Sequence, residues 1–197
     1  MLFSQGGTVK LEIVCAGIGG RGVLLASTVL IEAAISAGHS ALASDEYGMS
    51  QRGGSVVSLV KIGDFKSPLI GKENADILLS FEESEFYRNL GFLKKGGLTI
   101  VNTRKNILPA EIDNMLSKRN ITCLLFNADD MATEKSALQS SNMALLGFFS
   151  YLAVEPYNVQ NIRETIIKRT KGKFLEKNLE VFDLGCTIAK DRNIRKP

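Results

Sequence analysis

The stretch Val14-Cys15-Ala16-Gly17-Ile18-Gly19-Gly20-Arg21-Gly22-Val23 decides how the rest of this chain is read. It follows a short apolar run, Val9 to Val14, and precedes a long one, Val23 to Ala37. Strand, glycine turn, helix is the plain reading, and Gly17, Gly19 and Gly22 fit the G-x-G-x-x-G spacing. Glycines at such a turn allow positive φ and let backbone N–H groups approach a bound group closely. The N-terminus of the following helix adds unpaired donors and a partial positive charge. Two readings stay open on these residues alone: an anion or phosphate site, or a tight turn whose small residues only let helix and strand pack.

Working outward, Lys10–Cys15 predicts a central strand, apolar on both faces. Val23 to Ala37 is apolar nearly all round, so this helix is expected between the sheet and a further helix or a partner subunit. Gly38 closes it as a C-terminal glycine does. Ala41 to Ser44 reads as a second strand and Asp45 to Gly54 as a loop. Val56 to Ile62 is a β-branched strand ending at the turn Gly63-Asp64. No helix intervenes between Ser44 and Val56, so this strand is expected to run antiparallel to at least one neighbour.

Strands then alternate with helices. Asp76–Phe81, Leu98–Val101 and Ile121–Phe126 read as strands. Glu82–Leu93 (closed by Gly96-Gly97), Pro109–Arg119, Met131–Gln139, Asn142–Val154, Val159–Arg169 and Phe174–Ala189 read as helices. The expected fold is a three-layer α/β/α sandwich with a mixed, mostly parallel, Rossmann-like sheet. The 197 residues are read as one domain, 1–197, with its C-terminal helices in 156–190.

The net charge of +3 is slight, and the excess lies near the C-terminal end without interleaved aromatics. Nucleic acid is therefore not the expected partner. The three cysteines, Cys15, Cys123 and Cys186, form no C-x-x-C pair and sit in apolar settings. They read as core thiols in a reducing compartment, not as ligands of zinc or an iron–sulfur cluster. No leader and no confident membrane span is read, so the expected location is cytoplasmic. The single histidine, His39, sits at a helix–strand junction with no nucleophile motif nearby and reads as a capping or surface residue. A nicotinamide-binding unit would use Asp45 or Glu46 at the end of the second strand, but a glycine-rich loop follows where a helix should begin.

The second informative stretch is Asp45-Glu46-Tyr47-Gly48-Met49-Ser50-Gln51-Arg52-Gly53-Gly54-Ser55. An arginine before two glycines and a serine presents a guanidinium fork, N–H groups and a hydroxyl together, which suits a carboxylate or phosphate. The alternative is a surface loop with an internally paired arginine.

Four segments together resemble a known family: Gly17-Ile-Gly-Gly-Arg-Gly22, Tyr47-Gly-Met-Ser-Gln-Arg-Gly-Gly-Ser55, Ala75-Asp76 and Asn142-Met-Ala-Leu-Leu-Gly147. They are similar to the gamma-type subunit of 2-oxoacid:ferredoxin oxidoreductases. Gly48 to Val56 looks most like the corresponding beta subunit of the indolepyruvate enzymes, although Tyr47 stands where many of those carry histidine. Asn178 and Gly185 match the closing pattern, and the resemblance runs from about Lys10 to Ala189. It implies a subunit that carries no cofactor and has no catalytic or metal-binding residue of its own. Thiamine diphosphate, Mg and iron–sulfur clusters would sit on alpha, beta or ferredoxin-like partner subunits. The complex would oxidatively decarboxylate a 2-oxoacid (indolepyruvate, 2-oxoglutarate or pyruvate class) to an acyl-CoA, with ferredoxin as acceptor. On that analogy Gly19, Gly20, Arg21, Gly22, Arg52, Gly53 and Gly54 are candidates for coenzyme A or partner contacts. Tyr47, Met49 and Gln51 would lie in the same interface loop, and the isolated chain could pair as a homodimer. The competing readings are a free-standing Rossmann-type nucleotide-binding enzyme and a ligand-free interaction domain.

Overall fold

A computed structural model describes residues 9–48, 53–170, 172 and 174–194. The elements run β1 (Leu11–Ile18), α1 (Val23–Ser36), β2 (Ala41–Tyr47), β3 (Ser55–Ile62), β4 (Ala75–Ser80), α2 (Glu83–Asn89), β5 (Leu93–Asn102) and α3 (Ala110–Lys118). They continue with β6 (Thr122–Phe126), α4 (Ala128–Glu134), α5 (Ser141–Tyr151), α6 (Val159–Arg169) and α7 (Phe174–Asp191). One six-stranded sheet has the order β2-β3-β1-β4-β5-β6. β1, β4, β5 and β6 are parallel, and β3 lies antiparallel between β1 and β2.

Side chains alternate along β1 because successive residues of a strand point to opposite faces. Ile13 and Cys15 join one buried cluster, with apolar side chains of α1, α4, α5, α6 and α7. Val14 and Ala16 join the other, with Phe86 of α2 and Leu116 of α3. The sheet thus has a helical layer on each face, and the antiparallel placement of Val56–Ile62 is as the missing crossover requires. On its outer side α1 meets α6, where Arg169 pairs with Glu32 at 3.1 Å. Leu25 and Ile35 nonetheless stay in solvent.

Of the boundaries that differ from expectation, four have a plain physical reason. β1 runs on through Gly17 and Ile18, because these pair with Val56 and Ser55 of β3, and a Cβ at Gly17 would lie 2.7 Å from Val23 and 3.0 Å from Phe81. Glycine there lets strand, α1 and the end of β4 close up. Asp45, Glu46 and Tyr47 belong to β2 and not to a loop: they pair with Ser58, Val57 and Val56 of β3. An edge strand needs only backbone pairing on one side and tolerates polar side chains. The helix expected over Glu82–Leu93 stops at Asn89, passes through a short 3-10 turn at Leu90–Phe92, and gives way to β5 at Leu93. Gly96-Gly97 therefore lie inside a strand, where Gly96 takes φ 77° and the pairing with β4 slips register between Ala75 and Ile77. α4 begins at Ala128, ahead of Met131, because the Asn127 side chain accepts the Asp130 N–H at 3.1 Å as an N-cap.

Candidate functional site

The turn leaving β1 and the hairpin joining β2 to β3 meet at one end of the sheet. β2 and β1 point the same way because each is antiparallel to β3. Their carboxyl ends therefore lie together, and ligands of open α/β sheets collect outside such ends. The Gly19 N–H donates to the Gly54 carbonyl at 2.9 Å, and the Gly48 N–H to the Ser55 carbonyl at 2.7 Å. Between turn and hairpin lies a depression of about 350 Å³, lined by Ile18, Gly19, Gly20, Gly22, Val23, Leu24, Tyr47 and Val56.

The conformation of this turn requires glycine. Gly20 and Gly22 take φ 95° and 70°, a region that side chains disfavour. A Cβ on Gly22 would strike the amide of Asn142, whose Nδ2 donates to the Gly22 carbonyl at 3.2 Å. A Cβ on Gly20 would meet nothing within 4 Å, so the backbone there is open to an approaching group. Gly22 is also the N-cap of α1; no side chain caps this helix start, and no acidic residue lies in its first turn. The first N–H groups of a helix have no partner within it. They add to the positive end of the helix dipole, and no lining residue carries a charge that opposes it. Backbone donors, positive potential and open space suit an anion.

Arg21 turns away from this depression. Its guanidinium bridges Asp129 at 2.9 Å and Glu82 at 3.1 Å. It lines a second, polar depression with Glu83, Asn102, Thr103, Arg104, Asn127 and Leu138. There Asn102 also donates to Asp129, and Glu83 accepts from Thr103 and Lys105. The Lys105 bond holds Glu83 below the usual carboxylate range, against the opposing effect of burial. The charged groups of that depression are engaged within it or by Lys105 and Asp130 beside it, and Arg21 ties the turn to the starts of α2 and α4. Gly53 takes φ 78° with open space before it, and Tyr47 is 64% exposed at the rim. Met49, Gln51 and Arg52 lie outside the described residues.

Other quoted residues have structural tasks. Asn178 accepts from Ser140 at 2.6 Å. A Cβ on Gly147 would collide with the Phe182 carbonyl, and one on Gly185 with the Ala144 carbonyl, so these two glycines let α5 and α7 pack backbone to backbone. Cys15, Cys123 and Cys186 are free thiols. Among the described residues no group of three or more His, Cys, Asp or Glu side chains could hold a metal ion, and no helix is long and apolar enough to cross a membrane. His39 lies just past α1, its N–H donating to the Ala34 carbonyl. The dinucleotide arrangement does not form: β3 stands between β1 and β2, putting Asp45 two strands away, about 10 Å from the line of β1. Asp45 is moreover engaged by the Ser58 hydroxyl at 2.6 Å.

Residues that sequence reasoning missed are Glu82, Glu85, Asp129 and Asn142 as supports of the turn and hairpin. The acidic run Glu82-Glu83-Ser84-Glu85 just after a strand was the available signal.

Comparison with known proteins agrees with this architecture. A family model described as pyruvate ferredoxin/flavodoxin oxidoreductase matches residues 12–188. The chain is 33% identical to the indolepyruvate oxidoreductase subunit IorB of Archaeoglobus fulgidus, over 92% of this chain and 96% of that one. It is 34% identical to the IorB of Pyrococcus horikoshii, over 92% and 97%. Among solved structures it resembles the gamma subunit of a keto/oxoacid ferredoxin oxidoreductase from Geobacter sulfurreducens, with TM-score 0.73, 25% identity, and 92% and 99% of the two chains covered.

Proposed function

The chain belongs to the pyruvate ferredoxin/flavodoxin oxidoreductase family, and from that premise we propose that it is the non-cofactor-bearing subunit of a 2-oxoacid:ferredoxin oxidoreductase of the indolepyruvate type. Thiamine diphosphate, Mg and the iron–sulfur clusters belong on this reading to alpha, beta or ferredoxin-like partner subunits, and ferredoxin takes the electrons. The complex decarboxylates the 2-oxoacid oxidatively and passes the acyl group to coenzyme A. The likeness to IorB subunits supports the indolepyruvate class ahead of 2-oxoglutarate or pyruvate.

The glycine depression is this chain's contribution. The single observation that carries this is the uncapped, acid-free start of α1 beside the open Gly20 backbone. These residues fit a phosphate of coenzyme A: the amides of Gly20, Gly22 and Val23, which the Gly19–Gly54 and Arg21–Ile18 backbone bonds leave over, would bind it, with Gly53, Gly54 and Arg52 as further contacts. When bound, coenzyme A supplies the thiol that accepts the acyl group. A second reading rests on Tyr47, exposed at the rim: with Met49 and Gln51 it would present this face to a partner subunit.

Gly20→Asp and Gly20→Asn share the same backbone strain and differ in charge. In the assembled complex Gly20→Asp should weaken coenzyme A binding at least tenfold more than Gly20→Asn. Arg52→Ala should cost about 1–3 kcal/mol of coenzyme A affinity or of assembly, as loss of charge-assisted bonds does, with little change in melting temperature. Equal affinity in all three variants would overturn the phosphate reading, and a sharp fall in melting temperature with normal assembly would make Arg52 structural.

A further inference from the structure

The hairpin that faces the glycine turn is held from beneath by a group that no part of the function above uses. Glu85 of α2 is fully buried. Its Oε2 accepts the Ser55 hydroxyl at 2.6 Å, and its Oε1 accepts Arg88 Nη1 at 2.9 Å. Asn89 Nδ2 donates to the Glu85 carbonyl at 2.9 Å and reaches Oε2 at 3.4 Å. A carboxylate is costly to bury, and its one ionic partner among the described residues, Arg88, is 68% exposed. A buried ion pair replaced as a whole by well-packed apolar residues often loses no stability. Leucine would suit the apolar neighbourhood of Phe86 and Leu90. What the carboxylate adds is direction: it fixes Ser55, the first residue of β3.

Ser55 is where the hairpin returns to the sheet. Its carbonyl accepts the Gly48 N–H, and the carbonyl just before it, that of Gly54, accepts the Gly19 N–H. Three residues ahead of Glu85 on the same short segment, Glu82 holds Arg21 of the glycine turn. One acidic segment therefore grips both walls of the depression. We propose that Glu85 is a positioning residue for the glycine site: by holding the Ser55 hydroxyl it sets Gly53 and Gly54 against the Gly19–Gly22 turn, so that the backbone donors converge on one anion. This inference rests on the coenzyme A reading of that site.

The test uses the assembled complex with Ser55→Ala, Ser55→Thr, Glu85→Gln and Gly20→Asp, and coenzyme A as the probe. Calorimetric titration gives the Kd for coenzyme A, steady-state kinetics gives KM for indolepyruvate, and hydrogen exchange follows residues 48–55. Ser55→Ala and Glu85→Gln should each raise the Kd for coenzyme A at least tenfold, leave KM for indolepyruvate within twofold, and speed exchange over 48–55. Ser55→Thr, which keeps the hydroxyl, should restore the Kd to within twofold of the unmodified complex. If Glu85→Gln does not assemble, Ser55→Ala and Ser55→Thr decide alone. Gly20→Asp raising the Kd while Ser55→Ala leaves it within twofold would overturn the positioning role and leave the site reading standing. A threonine that fails to rescue would also overturn it. If Gly20→Asp itself changes nothing, the site reading falls and the positioning role with it.

Discussion

Cys15 is fully buried at the heart of the sheet. Burial, and secondarily the charge of Asp45, push its thiol up to about 12. Cys123 is likewise pushed up to about 12, by burial and then by Asp113. A raised value in the folded state means that the native chain keeps a proton which the unfolded chain gives up above about pH 9. The stability this supplies is fully present below pH 9 and is lost as pH rises toward 12. Each such thiol contributes a slope of about 1.4 kcal/mol per pH unit in that window. Urea unfolding between pH 8.5 and 10.5 should therefore show a steep alkaline loss, and Cys123→Ser should make it shallower. A profile flat to pH 10.5 would contradict the burial of these thiols. The neighbouring Tyr157, whose own value is raised by burial, reinforces the loss at the upper end. Its hydroxyl is buried without a hydrogen-bond partner among the described residues, so it too gains by keeping its proton.

At the scale of elements, the tightest joint is α5 on α7. Gly147 and Gly185 stand where each helix backbone touches the other. Gly147→Ala or Gly185→Ala must push the helices apart, and forced overpacking of this kind costs about 1–3 kcal/mol or more. The unfolding free energy of both variants from denaturant titration should fall by that amount, through a lower midpoint at unchanged m-value; a change under about 0.5 kcal/mol would show that the helices approach less closely. Both glycines were visible in the sequence as pattern matches, but their reason was not, since the surfaces that require them lie 38 positions apart. The same limit explains Arg21. Its partners lie 61 and 108 residues away, and no local spacing announces them. What was legible is what short-range physics decides: the strand–glycine–helix start, and the antiparallel β3 implied by a missing crossover. Gly96-Gly97 misled because glycine usually ends an element, whereas here it lets β5 slip register beside β4. Asp45–Tyr47 misled because an edge strand is held by its backbone and its polar side chains carry no periodic signal.

At the scale of the whole molecule, the described residues bring a glycine turn and an exposed rim together around one depression, and no group of three or more His, Cys, Asp or Glu side chains among them could hold a metal ion. The family places such a chain inside a larger oxidoreductase. The account therefore stands or falls on whether this chain is needed by partner subunits and is inert without them. The direct measurement is reconstitution with one subunit omitted at a time, following coenzyme A-dependent ferredoxin reduction by indolepyruvate. The predicted result is no turnover and no iron–sulfur absorbance for the pure chain, none for the partner subunits without it, and full activity when they are combined. Turnover of a 2-oxoacid by the pure chain, or full activity of the partners in its absence, would contradict the account.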